Sequence, residues 1–147
     1  MNQLYQACVG YWVGELIPPH IRGIEEDLTR IRANVEADPT IGRFRTAIGL
    51  RQMLNEAPAY PEVVEVMGVW THICVASAVA DVLHRGITAV VDPDYIALPG
   101  PTSRQKRVAV LTDAVSLAFH DIRRYEIGTR SNYKTTDYGS FIMFQSE

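Results

Sequence analysis

The chain is poor in cysteine and lysine and has no long apolar run. Each of these absences reduces the range of functions that the protein can have. Of its 147 residues two are cysteines, Cys8 and Cys74, which lie far apart in apolar surroundings. Free cysteine in such a setting behaves as a small hydrophobic residue, so we expect two reduced thiols rather than a disulfide. No apolar run approaches the ~18–20 residues of a membrane span, and the first residues lack a charged signal-peptide region. We therefore expect a cytoplasmic protein without a membrane partner.

Familiar cofactor and catalytic motifs are also absent. There is no glycine-rich phosphate loop, no Gly-x-Ser-x-Gly elbow and no paired-cysteine metal motif. The net charge of −3 gives no general attraction for nucleic acid. We therefore expect no cofactor, no bound metal and no nucleic-acid partner.

Four histidines are the candidates for acid–base chemistry: His20, His72, His84 and His120. His20 follows two prolines and His84 precedes an Arg-Gly turn, so we expect both at the surface. His72 and His120 lie among apolar neighbours on predicted strands. Two imidazoles in one pocket can serve as general acid and base near neutral pH. The alternative for each is a structural imidazole bonded within the core, and no third residue is evident that would orient either one.

The first part of the chain, residues 1–58, favours helices. Residues 4–17 are apolar on several sides, and we favour a helix there, although periodicity leaves a strand open. Residues 20–36 carry a narrow apolar seam at spacings of 3 and 4, formed by Ile21, Ile24, Leu28, Ile31 and Val35. This seam fits either an interface between subunits or a stripe packed on its own domain. Asp38-Pro39 is then predicted to begin a third helix over 40–54.

The central part, residues 59–123, is rich in β-branched and aromatic residues. It predicts six or seven short strands in an antiparallel barrel, with the first over Val63–Val75 and the last two over Arg107–Leu111 and Val115–Ile122. One alternative stays open. Ala76–Arg85 is rich in alanine and Gly86 suits a helix C-terminus, which would make a strand–helix–strand unit.

Short hydrophobic motifs in this part resemble the second half of a cupin domain, in particular the small cupin-like proteins of phage and bacterial genomes. The motifs are residues 73–75, 80–83, Gly86, 94–102 and 107–108. The resemblance implies a double-stranded β-helix barrel with a ligand in its mouth. It aligns His72 with a metal-binding glutamate and Lys106 or Arg107 with a metal-binding histidine, and so implies that no metal is held. The ligand-binding residues it suggests, together with strand alternation, are His72, His120, Trp70, Arg107 and Tyr95.

A second resemblance concerns Gly68–Val75, which looks like the nucleophile segment of isochorismatase-like cysteine hydrolases. It implies that Cys74 is a nucleophile. That family also uses an upstream aspartate and lysine. No lysine precedes Lys106, so this chain departs from the complete triad.

The final residues, 124–147, are more polar and contain scattered aromatics. They fit either an irregular arm across the domain or a late strand over Ser140–Phe144. Aromatic residues interleaved with cations can stack on nucleic-acid bases, but the acidic net charge disfavours that reading.

The sequence therefore predicts an α+β protein in one globular unit: a helical N-terminal segment (1–58), a small antiparallel cupin-like β-barrel (59–123) and a C-terminal arm (124–147). The function it favours is non-enzymatic: a homo-oligomer, most simply a dimer, that binds a small ligand or another protein and by resemblance is phage-encoded. The first alternative is a metal-independent isomerase, lyase or hydrolase that uses the strand histidines or Cys74. The second alternative is a virion or assembly component, found in the host cytoplasm or the virion.

Overall fold

The computed structural model describes residues 4–12, 15–16, 24–124 and 130–147. For residues 12, 15, 16 and 122–124 this description covers the backbone. His20, with its expected surface position, and Ile21, the first residue of the seam, lie outside the described residues.

Four helices and nine strands make up the described part of the chain. The strands are β1 (Leu4–Val9), β2 (Tyr11–Trp12), β3 (Glu15–Leu16), β4 (Gly42–Phe44), β5 (Val63–Val69), β6 (Thr88–Val91), β7 (Ile96–Ala97), β8 (Tyr133–Asp137) and β9 (Ile142–Ser146). The helices are α1 (Glu25–Ala37), α2 (Ala47–Glu56), α3 (Ala76–His84) and α4 (Arg104–Arg124). A π-helical turn, Thr71–Val75, leads into α3, and a 3-10 turn, Pro93–Tyr95, precedes β7. None of the helices in these ranges is long and apolar enough to cross a membrane.

The α+β class is confirmed, but the sheet is mixed rather than the expected antiparallel barrel. Its strand order is β4-β1-β5-β6-β9-β8, and β7 pairs with the end of β5. The first four strands in that order are parallel, while β9 and β8 are antiparallel to their neighbours. The strand–helix–strand alternative is what the structure contains, because β5, α3 and β6 form a unit whose two strands lie side by side in parallel.

Several predicted elements change type. Residues 4–9 form a strand instead of a helix. Ala7, Cys8 and Val9 are all buried because helices cover both faces of a parallel sheet. The two strands predicted between Arg107 and Ile122 are one helix, α4. Its buried residues Leu111, Val115 and Phe119 recur every fourth position, which is a helical spacing.

Three boundaries also move. The strand predicted over Val63–Val75 ends at Val69. The helix predicted over 40–54 is split by β4, and Asp38 closes α1 instead of beginning that helix. The Asp38 carboxylate accepts hydrogen bonds from the backbone N–H and the hydroxyl of Thr40. A late strand is present as β9, two residues further along than expected.

The two faces of the sheet are covered differently. On one face lies α1, and its seam residues Leu28, Ile31 and Val35 pack against Cys8 and Met67. This places the described seam on its own sheet rather than between subunits. On the other face lie α2, α3 and α4, whose apolar side chains form the larger core.

Helix α3 is the centre of that larger core. Every residue of α3 except Ser77 is buried. Its C-terminus is closed by Gly86 at φ 76°, with Gly86 N–H donating to Leu83 O and Ile87 N–H donating to Val82 O. These two bonds form a Schellman motif, which needs a left-handed residue where glycine stands. The chain then enters β6 directly beside β5.

Candidate functional site

The order of the parallel strands reverses between β1 and β5. From β1 the chain goes outward to β4, whereas from β5 it goes the other way to β6. Ligands in open α/β sheets bind outside the carboxyl ends of the strands at such a switch point. Gly10 and Gly68 allow a close backbone approach there, since both have positive φ and a Cβ on either would overlap the backbone oxygen of Val69 or Val9. The site is therefore sought where β5 ends.

The chain leaves β5 through a cis peptide between Val69 and Trp70 and enters the π-helical turn. The buried hydroxyl of Thr71 donates a 2.8 Å hydrogen bond to Ala97 O, which ties the turn to β7. Val75 points into the core, while His72 and Ile73 are exposed and Cys74 is half-buried. The turn thus presents an imidazole and a thiol beside the N-terminal end of α3.

A groove of about 850 Å³ lies beside this turn, between α2 and α4. Its apolar lining consists of Ala47, Ile48, Ile73, Val110, Ala114, Leu117 and Ala118. Its polar lining consists of Thr46, Arg51, His72, Cys74, Ser77, Asp113 and Asp121. A mainly apolar concavity with a few polar groups is the usual form of a small-molecule site.

The two cysteines differ in access. Cys74 is half-buried in the wall of the groove, whereas Cys8 is fully buried between the sheet and α1. Burial raises the pKa of the Cys8 thiol to about 12, although the nearby positive charge of Arg43 acts in the opposite direction. Because the thiolate is the reactive form, Cys8 is inert at neutral pH. Cys74 is the thiol that a molecule in the groove can reach.

A charged cluster lies behind the α2 wall of the groove. Asp81, which is buried on α3, accepts a 3.0 Å hydrogen bond from Arg51 Nε through Oδ2 and pairs with Arg85 through Oδ1. Arg85 is also held by the side chain of Asn55. The buried carboxylate is therefore paired on both oxygens, as a buried charge requires.

The residues predicted to bind a ligand are dispersed. His72 lines the groove with Cys74, whereas His120 is exposed on α4 and is not among the groove-lining residues. Trp70 and Tyr95 are half-buried and pack with the α1-side core. Arg107 is buried at the start of α4, where it donates to Pro93 O at 2.9 Å and Thr102 O at 2.8 Å. Because its guanidinium is buried and bonded to backbone oxygens, Arg107 has a structural role and does not line the groove.

Two expectations about the histidines are wrong. Neither His72 nor His120 lies on a strand, because the turn and α4 are helical. His84, expected at the surface, is 3% exposed on α3. Its Nε2 lies 2.7 Å from Phe119 O, and its ring stacks on Phe119 with centroids 3.9 Å apart.

The groove-lining residues of α4 were not predicted from the sequence. Asp113, Leu117 and Asp121 reach the groove because they share one face of α4, at spacings of four. A helical reading of 104–124 would have grouped them, but the strand interpretation separated them. The pairing of Arg51 with Asp81 had no sequence signal, because the two residues lie on different helices.

The described residues contain no group of three histidine, cysteine or acidic side chains placed to hold a metal ion. The groove itself offers one imidazole, one thiol and two aspartates. Its donor set therefore suits proton transfer and thiol chemistry.

Comparison with known proteins found no matching family model and no matching curated protein. Among solved structures, YcaC from Pseudomonas aeruginosa with hexane-2,5-diol and covalent acrylamide is similar at a TM-score of 0.38 and 19% sequence identity. The match covers 86% of this chain and 84% of that chain. At this TM-score the similarity supports no conclusion about the function of this chain.

Proposed function

We propose that this chain is a metal-independent hydrolase that uses Cys74 as the nucleophile on a small, mainly apolar acyl substrate bound in the groove. The observation that carries the proposal is the position of Cys74. Its half-buried thiol lies in the wall of a ligand-sized groove, just after the central parallel strand ends. A nucleophile between a strand and the helix that follows it is exposed to substrate while its backbone is held rigidly.

The local fold supports one of the two resemblances over the other. The nucleophile segment of isochorismatase-like cysteine hydrolases, which Gly68–Val75 resembles, needs a strand followed by a helix, and β5 and α3 supply them. The cupin resemblance needs an antiparallel barrel, and the sheet is mixed. The departure from the hydrolase pattern remains, because no lysine precedes Lys106.

His72 takes the role of the proton acceptor in this proposal, since its imidazole is exposed in the same groove as Cys74. The Cys74 thiol gives its proton to the imidazole, and the sulfur forms a bond to the acyl carbon. The bond from that carbon to the leaving group breaks, and the leaving group takes the proton from the imidazolium. A water molecule then attacks the thioester carbon, which releases the carboxylic acid and restores the thiol.

Hydrolysis of p-nitrophenyl butyrate tests the proposal. Cys74→Ser should lower turnover at least about a hundredfold, because a serine hydroxyl is a far weaker nucleophile than a thiolate. Cys8→Ala is the matched control and should keep its turnover, since Cys8 is buried away from the groove. Turnover that is equal in the unmodified protein and in Cys74→Ser would contradict the proposal.

A second candidate is the non-enzymatic homo-oligomer that the sequence favours. Three apolar side chains at the groove are largely exposed: Ile48 at 55%, Ile73 at 52% and Leu117 at 71%. A second copy of the chain seated on this face would bury them, and two-fold symmetry is the usual arrangement for such pairs. Sedimentation that gives a monomer at tens of micromolar, with and without Leu117→Asp, would exclude this candidate.

A further inference from the structure

We infer that Arg51 binds a carboxylate of the substrate, so that the groove selects molecules with an apolar body and one anionic end. This inference rests on the proposed function, because it names the substrate class of the same groove. It starts from the fact that Arg51 lines the groove that also contains Cys74.

The guanidinium of Arg51 is held in place before any ligand arrives. Its Nε donates to Asp81 Oδ2 at 3.0 Å, and Asp81 is fixed in turn by Arg85. Asp81 is 1% exposed, so the anchor is rigid and protected from solvent, whereas the side chain of Arg51 is 27% exposed. A cation ordered in this way loses little conformational freedom when it binds an anion.

The outer edge of Arg51 is unused by the protein. Within the described ranges its one hydrogen bond is the Nε bond to Asp81, so its two Nη groups have no protein partner. Two guanidiniums share the single carboxylate of Asp81, which leaves one positive charge in excess in the cluster. A pair of parallel Nη donors on an uncompensated cation matches the two oxygens of a carboxylate.

The charges of the opposite wall set the orientation of such a ligand. Asp113 and Asp121 are exposed on α4 and line the same groove. The charge of Asp113 repels an anionic end from the α4 wall, while Arg51 attracts it to the α2 wall. The apolar body then lies over Ile73 and Leu117, with the acyl carbon directed to Cys74.

Maleimides test the inference without requiring any turnover. Cys74 sulfur bonds to one alkene carbon of a maleimide and the thiol proton ends on the other, so the ratio of the rates of a charged and a neutral maleimide reports how charge affects the approach to Cys74. The probes are neutral N-ethylmaleimide and maleimido-carboxylic acids with two, three and five methylene groups. For at least one acid, its rate relative to N-ethylmaleimide should fall about threefold to fivefold in Arg51→Gln, as expected for loss of a partly exposed ion pair.

Arg45→Gln is the matched control, because Arg45 is an exposed arginine just before α2 that does not line the groove. It removes the same charge and should leave the rate ratio unchanged. An Arg51→Gln ratio equal to that of the unmodified protein at every chain length overturns the inference. If the ester is not hydrolysed but the maleimide rate ratio still depends on Arg51, the hydrolase proposal is contradicted and the anion-binding site is retained.

A measurement on the unmodified protein covers the case in which Arg51→Gln does not fold. Hexanoate and hexanamide have the same apolar chain and differ in the charge of one end. Hexanoate should protect Cys74 from N-ethylmaleimide at a severalfold lower concentration, and added salt should weaken that preference. Equal protection by the two compounds overturns the inference.

Discussion

The helices on the two faces of the sheet differ in how completely their apolar side chains are buried. On the α1 face, Leu28, Ile31 and Val35 are each at most 3% exposed, and with Cys8 and Met67 they form a closed layer. On the other face, α2 and α4 both pack against α3, and a groove remains between them. In this protein α1 buries its apolar stripe on the sheet, whereas Ile48 on α2 and Leu117 on α4 are left exposed beside the groove. If the proposed function is correct, the α1 face contributes mainly to stability and the groove face binds the ligand.

One substitution on each face tests whether the two faces differ in their tolerance of a carboxylate, and this test has the largest expected effect. Leu28→Asp places a carboxylate in the closed layer without a partner, and we expect it to cost about 3–5 kcal/mol or to prevent folding. Leu117→Asp is the matched variant on the groove face. It should change the free energy of unfolding by no more than about 0.5 kcal/mol, because an exposed side chain loses little buried area. Urea denaturation measures both, and similar losses would mean that the faces do not differ.

The alkylation rates of the two cysteines, one on each face, provide a second test of this difference. Iodoacetamide should modify Cys74 at least about a hundredfold faster than Cys8 in the folded protein near pH 8, because alkylation requires an accessible thiolate. The pKa of Cys8, raised to about 12 by burial, keeps that thiol neutral under these conditions. Peptide mapping by mass spectrometry follows each site separately. Comparable rates at the two cysteines would show that the α1 layer opens readily.

The smallest expected effect concerns Glu65 on the α1 side of β5. Burial raises the pKa of its carboxyl, the charge of Asp92 adds to the rise, and the 3.2 Å hydrogen bond from Gln6 opposes it. The folded protein therefore holds this proton to a higher pH than the unfolded chain does. The stability that comes from this group is complete below its ordinary pKa of 4.5 and is lost as pH rises through the folded pKa.

Glu65→Gln should consequently raise the melting temperature near pH 7 and leave it unchanged near pH 4. Because the group is only half-buried, we expect a rise of about 1–2 °C, corresponding to ~0.5 kcal/mol. Calorimetry at the two pH values measures the difference. The exposed Glu56→Gln is the control, and an equal rise in that variant would assign the effect to net charge instead of burial.

Part of the fold could be predicted from local patterns. The apolar seam at spacings of 3 and 4 predicts α1. A helix with one buried and one charged face produces such a periodic pattern in the sequence. A late strand over Ser140–Phe144 was one of the two alternatives for the last residues, and β9 is that strand, displaced by two residues. Around residues 76–86 both readings were open, and the alanine-rich run with its terminal glycine is the helix α3. These features depend on neighbours within a few residues.

Other parts depended on contacts between distant segments. Residues 4–9 are apolar on both faces because α1 and α2–α4 cover the two sides of β1, and such a run does not distinguish a strand from a buried helix. Residues 107–122 contain many β-branched side chains, yet they form a helix since their burial repeats every fourth residue. Strand propensity reflects packing surroundings more than backbone preference, so it misled here.

The presence of both helices and strands and the apolar stripe of α1 could be read from the sequence alone, whereas the end of β5 at Val69 and the π-helical turn that holds His72 and Cys74 could not. Only the tertiary structure decided that β4, β1, β5 and β6 run parallel, since the direction of neighbouring strands follows from the crossovers between them. It also decided that Arg51 stands beside Asp81 and shares a groove with Cys74 and Leu117. These side chains come from α2, α3, the π-helical turn and α4, and no spacing along the chain encodes the packing that joins them.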